Sequence, residues 1–267
     1  MNVKRILLTV SLSIILLFFM GSNTFLMLKI NKLSSNLKAL NVRLEKTESD
    51  FKKRIFVIEN KYQLIQTQFN KRAFVLEKQA REKLNAIKKL ISKEQITLAK
   101  TQLNDFLKQF GQTNAARTGR NLQTKLSVVG KPMPSNWGID RWFSGENDIN
   151  LESQGTTLIV FWETWCVYCM EEAHEIQAIY EEYKKDGLQI LGLTKMNKNS
   201  SPEKIEAFIK KKGIKYPIAK ENGSMTQYFK VSGIPAAALL NDGKIIWRDH
   251  PARLTDEMLK KYLKIQS

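Results

Sequence analysis

Apolar and polar positions fall into three regimes along the chain. Between Arg5 and Lys29 no charged residue occurs, and Ile6 to Leu28 is a run of 23 residues dominated by Leu, Ile, Phe and Val. An apolar helix of that length spans a bilayer. From Ser22 to Phe110 there is neither glycine nor proline, and Leu33, Leu37, Leu40, Leu44, Phe51, Ile55, Ile58, Tyr62, Ile65 and Phe69 recur mostly at alternating steps of four and three. That spacing predicts a coiled-coil seam on one long helix. The three-four-four steps through Thr47 and the double four of Leu76, Ala80 and Leu84 are stutters that relax a left-handed supercoil. A helix unbroken from Ile30 to Phe110 would be about 120 Å long.

In the third regime, short apolar runs alternate with helical periodicity. Thr157 to Trp162 reads as a buried strand, and Met170 to Lys185 as a helix with Ala173, Ile176, Ile179, Tyr180 and Tyr183 at helical spacing. A strand at Leu188 to Leu193, a helix at Pro202 to Lys211 capped by Ser200 or Ser201, a strand at Tyr216 to Ala219 and a short helix at Ser224 to Phe229 follow. Ala236 to Leu240 and Lys244 to Arg248 flank the turn Asn241-Asp242-Gly243 as a hairpin, before a last helix from Thr255 to Ile265. Residues before Leu151 read as irregular. The pattern predicts a transmembrane anchor over 1–28, a coiled-coil stalk over 29–110, a linker over 111–126 and an α/β domain over 127–267. Small polar residues such as Gly111-Gln112-Thr113-Asn114 make the linker the expected pivot.

Charge alters this picture little. Forty-three Lys and Arg against 26 Asp and Glu give a net +17, which raises nucleic acid or an anionic membrane as partners. Much of the excess lies on the stalk, mixed with acids at helical spacing as on a solvated helix face, so no nucleic-acid partner is expected. The rival to an anchor is a cleaved signal peptide, but no small-x-small site follows and apolar residues resume at Phe25 to Leu28. Lys4 and Arg5 on one side face Lys29, Lys32 and Lys38 on the other, so charge leaves orientation open. A seam without punctuation favours a homo-oligomer of parallel helices over a hairpin folded back on itself.

The chain's only two cysteines are Cys166 and Cys169 in Trp165-Cys166-Val167-Tyr168-Cys169. At the start of a helix, positions i and i+3 share a face, so the sulfurs can close a disulfide, and the positive end of the helix favours a thiolate at the first. The same pair could be half a zinc site, with His174 and His250 the only histidines, but structural zinc sites show two closely spaced ligand pairs. A purely structural disulfide would close too small a loop to stabilise much. No metal or cofactor is expected.

Three motifs carry a resemblance over Ser127 to Ser267: Val129-Gly130-Lys131-Pro132-x-Pro134, Phe161-Trp162-x-Thr164-Trp165-Cys166-x-x-Cys169, and Gly233-Ile234-Pro235 ahead of a strand. The region resembles the thioredoxin superfamily, specifically the TlpA/ResA-like membrane-anchored thiol-disulfide oxidoreductases. The resemblance implies a thioredoxin-like fold, a central mixed sheet flanked by helices. It makes Cys166 the nucleophile, Cys169 the resolving thiol and Pro235 a cis-proline, and Trp165, Ile234 and Pro235 would meet substrate. It also puts Glu172, three residues after the second cysteine, at a proton-exchanging position, although Glu171, Glu172 and Glu175 could simply complement the helix N-terminus. Two features depart from family patterns. Val160 stands where thioredoxins proper keep a buried acid, and His174 stands where the family often has proline.

Together these readings point to a single-pass protein of a bacterial cytoplasmic membrane with its catalytic domain on the extracytoplasmic side. Its expected partners are protein thiols and disulfides and an integral-membrane electron donor. The leading expectation is a reductase acting on exported proteins, apocytochromes c among them. Tyr168 before the second cysteine pulls toward the alternative, an oligomeric isomerase or oxidase. A third reading is a structural spacer with a binding module, which would not need both cysteines. A peroxidase would want threonine where Glu163 stands.

Overall fold

The computed structural model describes residues 3–146, 149, 155–197 and 199–265, with side chains from residue 9 onward. The charged start at Lys4 and Arg5, the first residues of the expected anchor and Leu151 therefore lie outside the described side chains. The chain divides into two compact units, Met1–Ala73 and Phe74–Ser267.

In the first unit the chain is α-helical from residue 3 throughout, as the first part of α1 (Val3–Ser92). It is the one helix among the described residues long and apolar enough to cross a membrane. Every described side chain of this unit is exposed except one half-buried position. The seam residues Leu33, Leu40 and Leu44 are 63, 61 and 65% exposed. An apolar stripe left wet in this way is what a coiled-coil seam presents before a partner covers it.

The second unit opens with the end of α1 and two further helices, α2 (Ile96–Phe110) and α3 (Asn114–Leu126). Two sequence expectations are corrected here. First, the helix does not run unbroken to Phe110. It stops at Ser92, Glu94 takes a left-handed conformation at φ 57°, and the chain doubles back, so that the Asn114 N–H donates to the Glu77 carboxylate at 2.8 Å. No glycine or proline marks the reversal. What holds it is tertiary: the Glu94 carboxylate accepts from Lys261 Nζ and from Tyr262 Oη. Second, residues 111–126 are not a linker or pivot, since Asn114 to Leu126 is helix α3, capped by the Thr113 hydroxyl on Ala116 N–H at 3.2 Å. The small residues that suggested a flexible tether serve close packing instead. A Cβ on Gly119 would stand 2.6 Å from Phe106 Cε1. Ala80, Leu84, Ile87, Leu103, Phe106, Ala116 and neighbours form a core of their own, a three-helix collar. The C-terminal end of the predicted seam is therefore used up within the chain.

The rest of the unit is one six-stranded sheet in the order β1-β4-β3-β2-β5-β6, formed by β1 (Ile139–Ser144), β2 (Thr156–Phe161), β3 (Leu188–Thr194), β4 (Ile218–Glu221), β5 (Ala236–Asn241) and β6 (Lys244–Asp249). β2, β3 and β4 run parallel, while β1, β5 and β6 pair antiparallel with their neighbours. This is the mixed sheet of a thioredoxin-like fold. Central strands buried on both faces read as continuous apolar runs, and β2 is buried at all six positions. The helices α4 (Val167–Tyr183), α5 (Pro202–Lys212), α6 (Ser224–Tyr228) and α7 (Asp256–Leu263) complete the domain. β1 was not expected: Ile-Asp-Arg-Trp-Phe-Ser is a half-exposed edge strand with two register irregularities, so it shows no clean alternation.

Collar and sheet are joined at defined points. Lys125 Nζ meets Asp249 Oδ1 at 2.5 Å, and Lys100 Nζ donates to the Val129 carbonyl at 2.8 Å. Val128 packs into the core of the sheet while its neighbour Val129 packs into the collar. The segment that follows runs beside β6. Gly130 N–H donates to Ile245 O, Ile245 N–H donates to Lys131 O, and Pro132 bridges Lys244.

Candidate functional site

β2 delivers its C-terminal end into a short turn, and α4 starts one residue after Cys166. Cys166 is the N-cap: its Sγ accepts the Cys169 N–H at 3.1 Å, where Ser or Asp more often stands. Cys166 and Cys169 are joined by a disulfide with their Cα atoms 5.2 Å apart. Both sulfur-bearing residues are buried, Cys169 on the same helical stripe as Ala173, Ile176 and Tyr183, which anchors α4 to the sheet. Around them the surface is apolar and open, with Trp165, Val167 and Tyr168 at 46, 59 and 70% exposure.

The loop before β5 closes the other side. The Ile234–Pro235 peptide bond is cis, Pro235 is buried, and Cys166 Sγ lies 3.8 Å from the Ile234 carbonyl oxygen. Arg248, 7% exposed, reaches under this loop and donates from Nε to Phe229 O and from Nη2 to Lys230 O. Burial lowers its pKa from the usual guanidinium value, with Asp249 opposing that shift.

Glu163 is the buried acid of the site, three residues before Cys166 and 5% exposed. Its Oε1 accepts from the backbone N–H groups of Lys195 and Met196 at 2.9 and 3.1 Å, and its Oε2 accepts from the Ser200 hydroxyl at 2.9 Å. Its own carbonyl accepts the Cys166 N–H at 3.1 Å. One side chain thus ties the active-site turn to the loop between β3 and α5.

Of the residues singled out in the sequence, Trp165, Cys166, Cys169, Ile234 and Pro235 come together here. Glu172 sits one turn along α4, half-buried, with an oxygen 3.9 Å from His250 Nδ1. β6 runs in the same sense as β2, so its end brings Asp249 and His250 to the active-site end of the sheet. That imidazole nitrogen also accepts the Ala252 N–H at 3.2 Å. His174 is exposed on α4 and apart from these interactions. Sequence reasoning missed the structural roles of Glu163, Arg248 and His250. A carboxylate in an otherwise apolar stretch between a strand and Cys-x-x-Cys was the available signal for the first; the other two depend on pairing across the fold.

A disulfide-bonded Cys-x-x-Cys at the N-terminus of the helix that follows the central strand of this sheet is the arrangement of a thioredoxin-like thiol-disulfide oxidoreductase. Comparison with known proteins agrees: residues 143–248 match the AhpC/TSA family. Sporulation thiol-disulfide oxidoreductase A of Bacillus subtilis is 26% identical over 117 residues, 43% of this chain and 71% of that protein. Thiol-disulfide oxidoreductase ResA of Halalkalibacterium halodurans is 26% identical over 116 residues, 43% of this chain and 64% of that one. ResA of Bacillus cereus is 30% identical over 106 residues, 39% and 59% of the two chains. The crystal structure of StoA from Bacillus subtilis covers 43% of this chain and 87% of its own at 26% identity, with a TM-score of 0.37. The C-terminal domain is thus similar to the thiol-disulfide oxidoreductases among these curated relatives. The chain spans only about three fifths to seven tenths of the length of these curated relatives, and the family match over residues 143–248 leaves out the stalk.

Proposed function

We propose that the chain is a membrane-anchored reductase of disulfides in exported proteins, apocytochromes c among the candidates, with Cys166 as nucleophile and Cys169 as resolving thiol. The observation that carries the assignment is the N-cap geometry: the N–H that Cys166 Sγ accepts in the disulfide would stabilise a thiolate at the same place, and the helix N-terminus adds its positive potential. In the reduced protein the Cys166 thiolate attacks one sulfur of a substrate disulfide. A mixed disulfide forms, and the other substrate sulfur leaves as a thiolate that takes up a proton. Cys169, having given its proton to solvent or to Glu172, then attacks Cys166 Sγ. The second substrate thiol is released and the Cys166–Cys169 bond closes. Two electrons have passed to the substrate, and an integral-membrane donor must return them.

Trp165 and the backbone at Ile234 and Pro235 would hold an extended substrate against the sulfurs. Main-chain pairing there gives affinity with little sequence discrimination. Thr9 onward supplies a helix that can cross a membrane. The exposed seam over Leu33 to Phe69 fits a parallel homo-oligomer of such helices.

The full-length protein in detergent, equilibrated with thiol redox buffers, is expected to have a reduction potential near that of thioredoxin, around −270 mV. A potential above about −180 mV would favour the second reading, an oligomeric isomerase or oxidase, for which the exposed Tyr168 before Cys169 speaks.

A further inference from the structure

Trp165 divides the surface beside Cys166 into two clefts. One is lined by Leu193, Lys195, Gly233 and Ile234, and it follows the loop whose carbonyl lies against Cys166 Sγ. The other, between Trp165 and α5, is lined by Thr164, Asn199, Lys204, Phe208 and Lys211. Its base is firm: the Phe208 ring stacks on buried Trp162 with centroids 4.9 Å apart. Its rim is cationic. Lys204 Nζ donates to the Asn199 carbonyl at 3.2 Å, and Lys211 forms no ion pair among the described residues.

Among the described residues no acid lines this cleft, and the acids nearest to it on α5 are engaged. Glu206 on α5 pairs with Arg141 at 2.9 Å, and the Ser201 hydroxyl holds the Glu203 carboxyl below its usual range. Glu163, which lines the first cleft, spends both oxygens on Lys195 and Met196 N–H and the Ser200 hydroxyl. The acids of α4, Glu171, Glu172, Glu175, Glu181 and Glu182, line neither cleft. Trp165 therefore stands between Lys195 on one side and Lys204 with Lys211 on the other.

Resting on the oxidoreductase reading above, we infer that the cleft between Trp165 and α5 is a specificity subsite for an acidic side chain close to the substrate's disulfide. A Glu or Asp there would place its methylene groups on the Trp165 and Phe208 rings and its carboxylate between the Lys204 and Lys211 ammonium groups. The substrate class is polypeptide disulfides with acidic flanks. Discrimination of this kind comes from charge on the cleft rim, while the main chain at Ile234 accepts any extended backbone.

The test uses the reduced full-length protein in detergent and two disulfide-bridged reporter peptides, identical except for Glu or Lys at the two positions on each side of the cysteine. The acidic peptide is expected to show a kcat/KM roughly three- to tenfold above the basic one at low ionic strength, the size of two exposed ion pairs. The ratio should shrink toward one in 0.5 M salt, because the charges are solvent-facing. In the double variant Lys204→Glu, Lys211→Glu the preference should reverse. Both peptides are compared within each protein, so partial loss of folded material does not move the ratio. Equal kcat/KM for the two peptides, or a preference that survives the charge reversal, would overturn the subsite. Hydroxyethyl disulfide, small and uncharged, separates the two levels of the argument: if the wild-type protein fails to reduce it, the oxidoreductase reading falls and the subsite falls with it.

Discussion

At the scale of single residues, the two sulfurs differ in their surroundings in ways that fit the proposed division into nucleophile and resolving thiol. Cys166 caps α4 at the rim of the exposed Trp165-Val167-Tyr168 surface, whereas Cys169 lies on the inward stripe of the helix. In membranes, Cys169→Ser should therefore accumulate mixed disulfides visible on non-reducing gels, and Cys166→Ser should not, because only the former keeps the attacking thiolate while losing the one that releases it. Equal trapping by both would reverse or dissolve the assignment. If Glu172 has the proposed proton-exchanging role, Glu172→Gln should lower the pKa of a cysteine thiol in the reduced protein, since a carboxylate disfavours a second negative charge nearby. Alkylation rate against pH reads this directly, and an unmoved profile would leave Glu172 as part of the helix's charge pattern and its approach to His250. Glu163→Ala should destabilise the domain by about 1–3 kcal/mol, because two backbone N–H groups and a hydroxyl would lose their acceptor in a buried place. The denaturant midpoint reports that loss.

At the scale of elements, the collar is the part most open to challenge. Gly119 has no room for a side chain: its Cβ would press on the Phe106 ring at 2.6 Å, and Phe106 is 1% exposed and cannot move aside into solvent. Gly119→Ala is expected to cost about 1–3 kcal/mol by overpacking, against the slight gain that alanine usually brings to a helix. A stabilised variant in thermal unfolding would contradict the packing of α3 on α2. The junction of collar and α7 also has a pH signature. Burial, with Glu94 beside it, raises the Tyr262 pKa to about 12. The folded state thus resists ionisation of this phenol, and the stability it contributes is fully present below the ordinary tyrosine value and lost as pH rises from there through about 12. Tyr262→Phe should flatten the decline of stability over that alkaline window.

These elements also mark where the sequence was legible. β2, β3, the β5–β6 hairpin and α4 to α7 announce themselves because each is either buried on both faces or striped on one, and the cysteines sit where that pattern puts them. β1 is an edge strand without alternation. α3 mixes small and polar residues with few large apolar ones, and its Gly119 finds a reason only against Phe106. The reversal at Glu94 has no local signal at all, being held by Lys261 and Tyr262 some 167 and 168 positions away. At the site, the Cys-x-x-Cys pair could be read from spacing and the proline loop from the resemblance that its motif carries, while the environment of Glu163 could not, since its donors come from a different strand and loop.

For the whole molecule, the boundary that matters for experiments is Phe74 rather than Ser127. A fragment from Phe74 keeps the collar's core and its attachment through Lys125 and Asp249, and should unfold in one transition. One from Ser127 strips the partners of Val129 from it and should melt several degrees lower, as a loss of about 1 kcal/mol implies for a domain of this size. Light scattering separates the two compact units in another way: the fragment from Phe74 should be monomeric, and the chain that keeps the Leu33 to Phe69 seam should associate. Self-association undiminished in the shorter fragment would remove the stalk as its cause. The short run Gly130 to Pro132 has a further consequence for the life of the protein in the cell. By pairing with β6 it occupies backbone groups that would otherwise lie open along a sheet margin, and an open margin is a template onto which other chains add strands. A product clipped by a protease just after Met133 would retain both cysteines and the entire sheet, yet its newly bared margin should recruit its own copies into insoluble deposits. For this chain, proteolytic damage at that one turn would be a proteostasis problem before it was a loss of redox capacity.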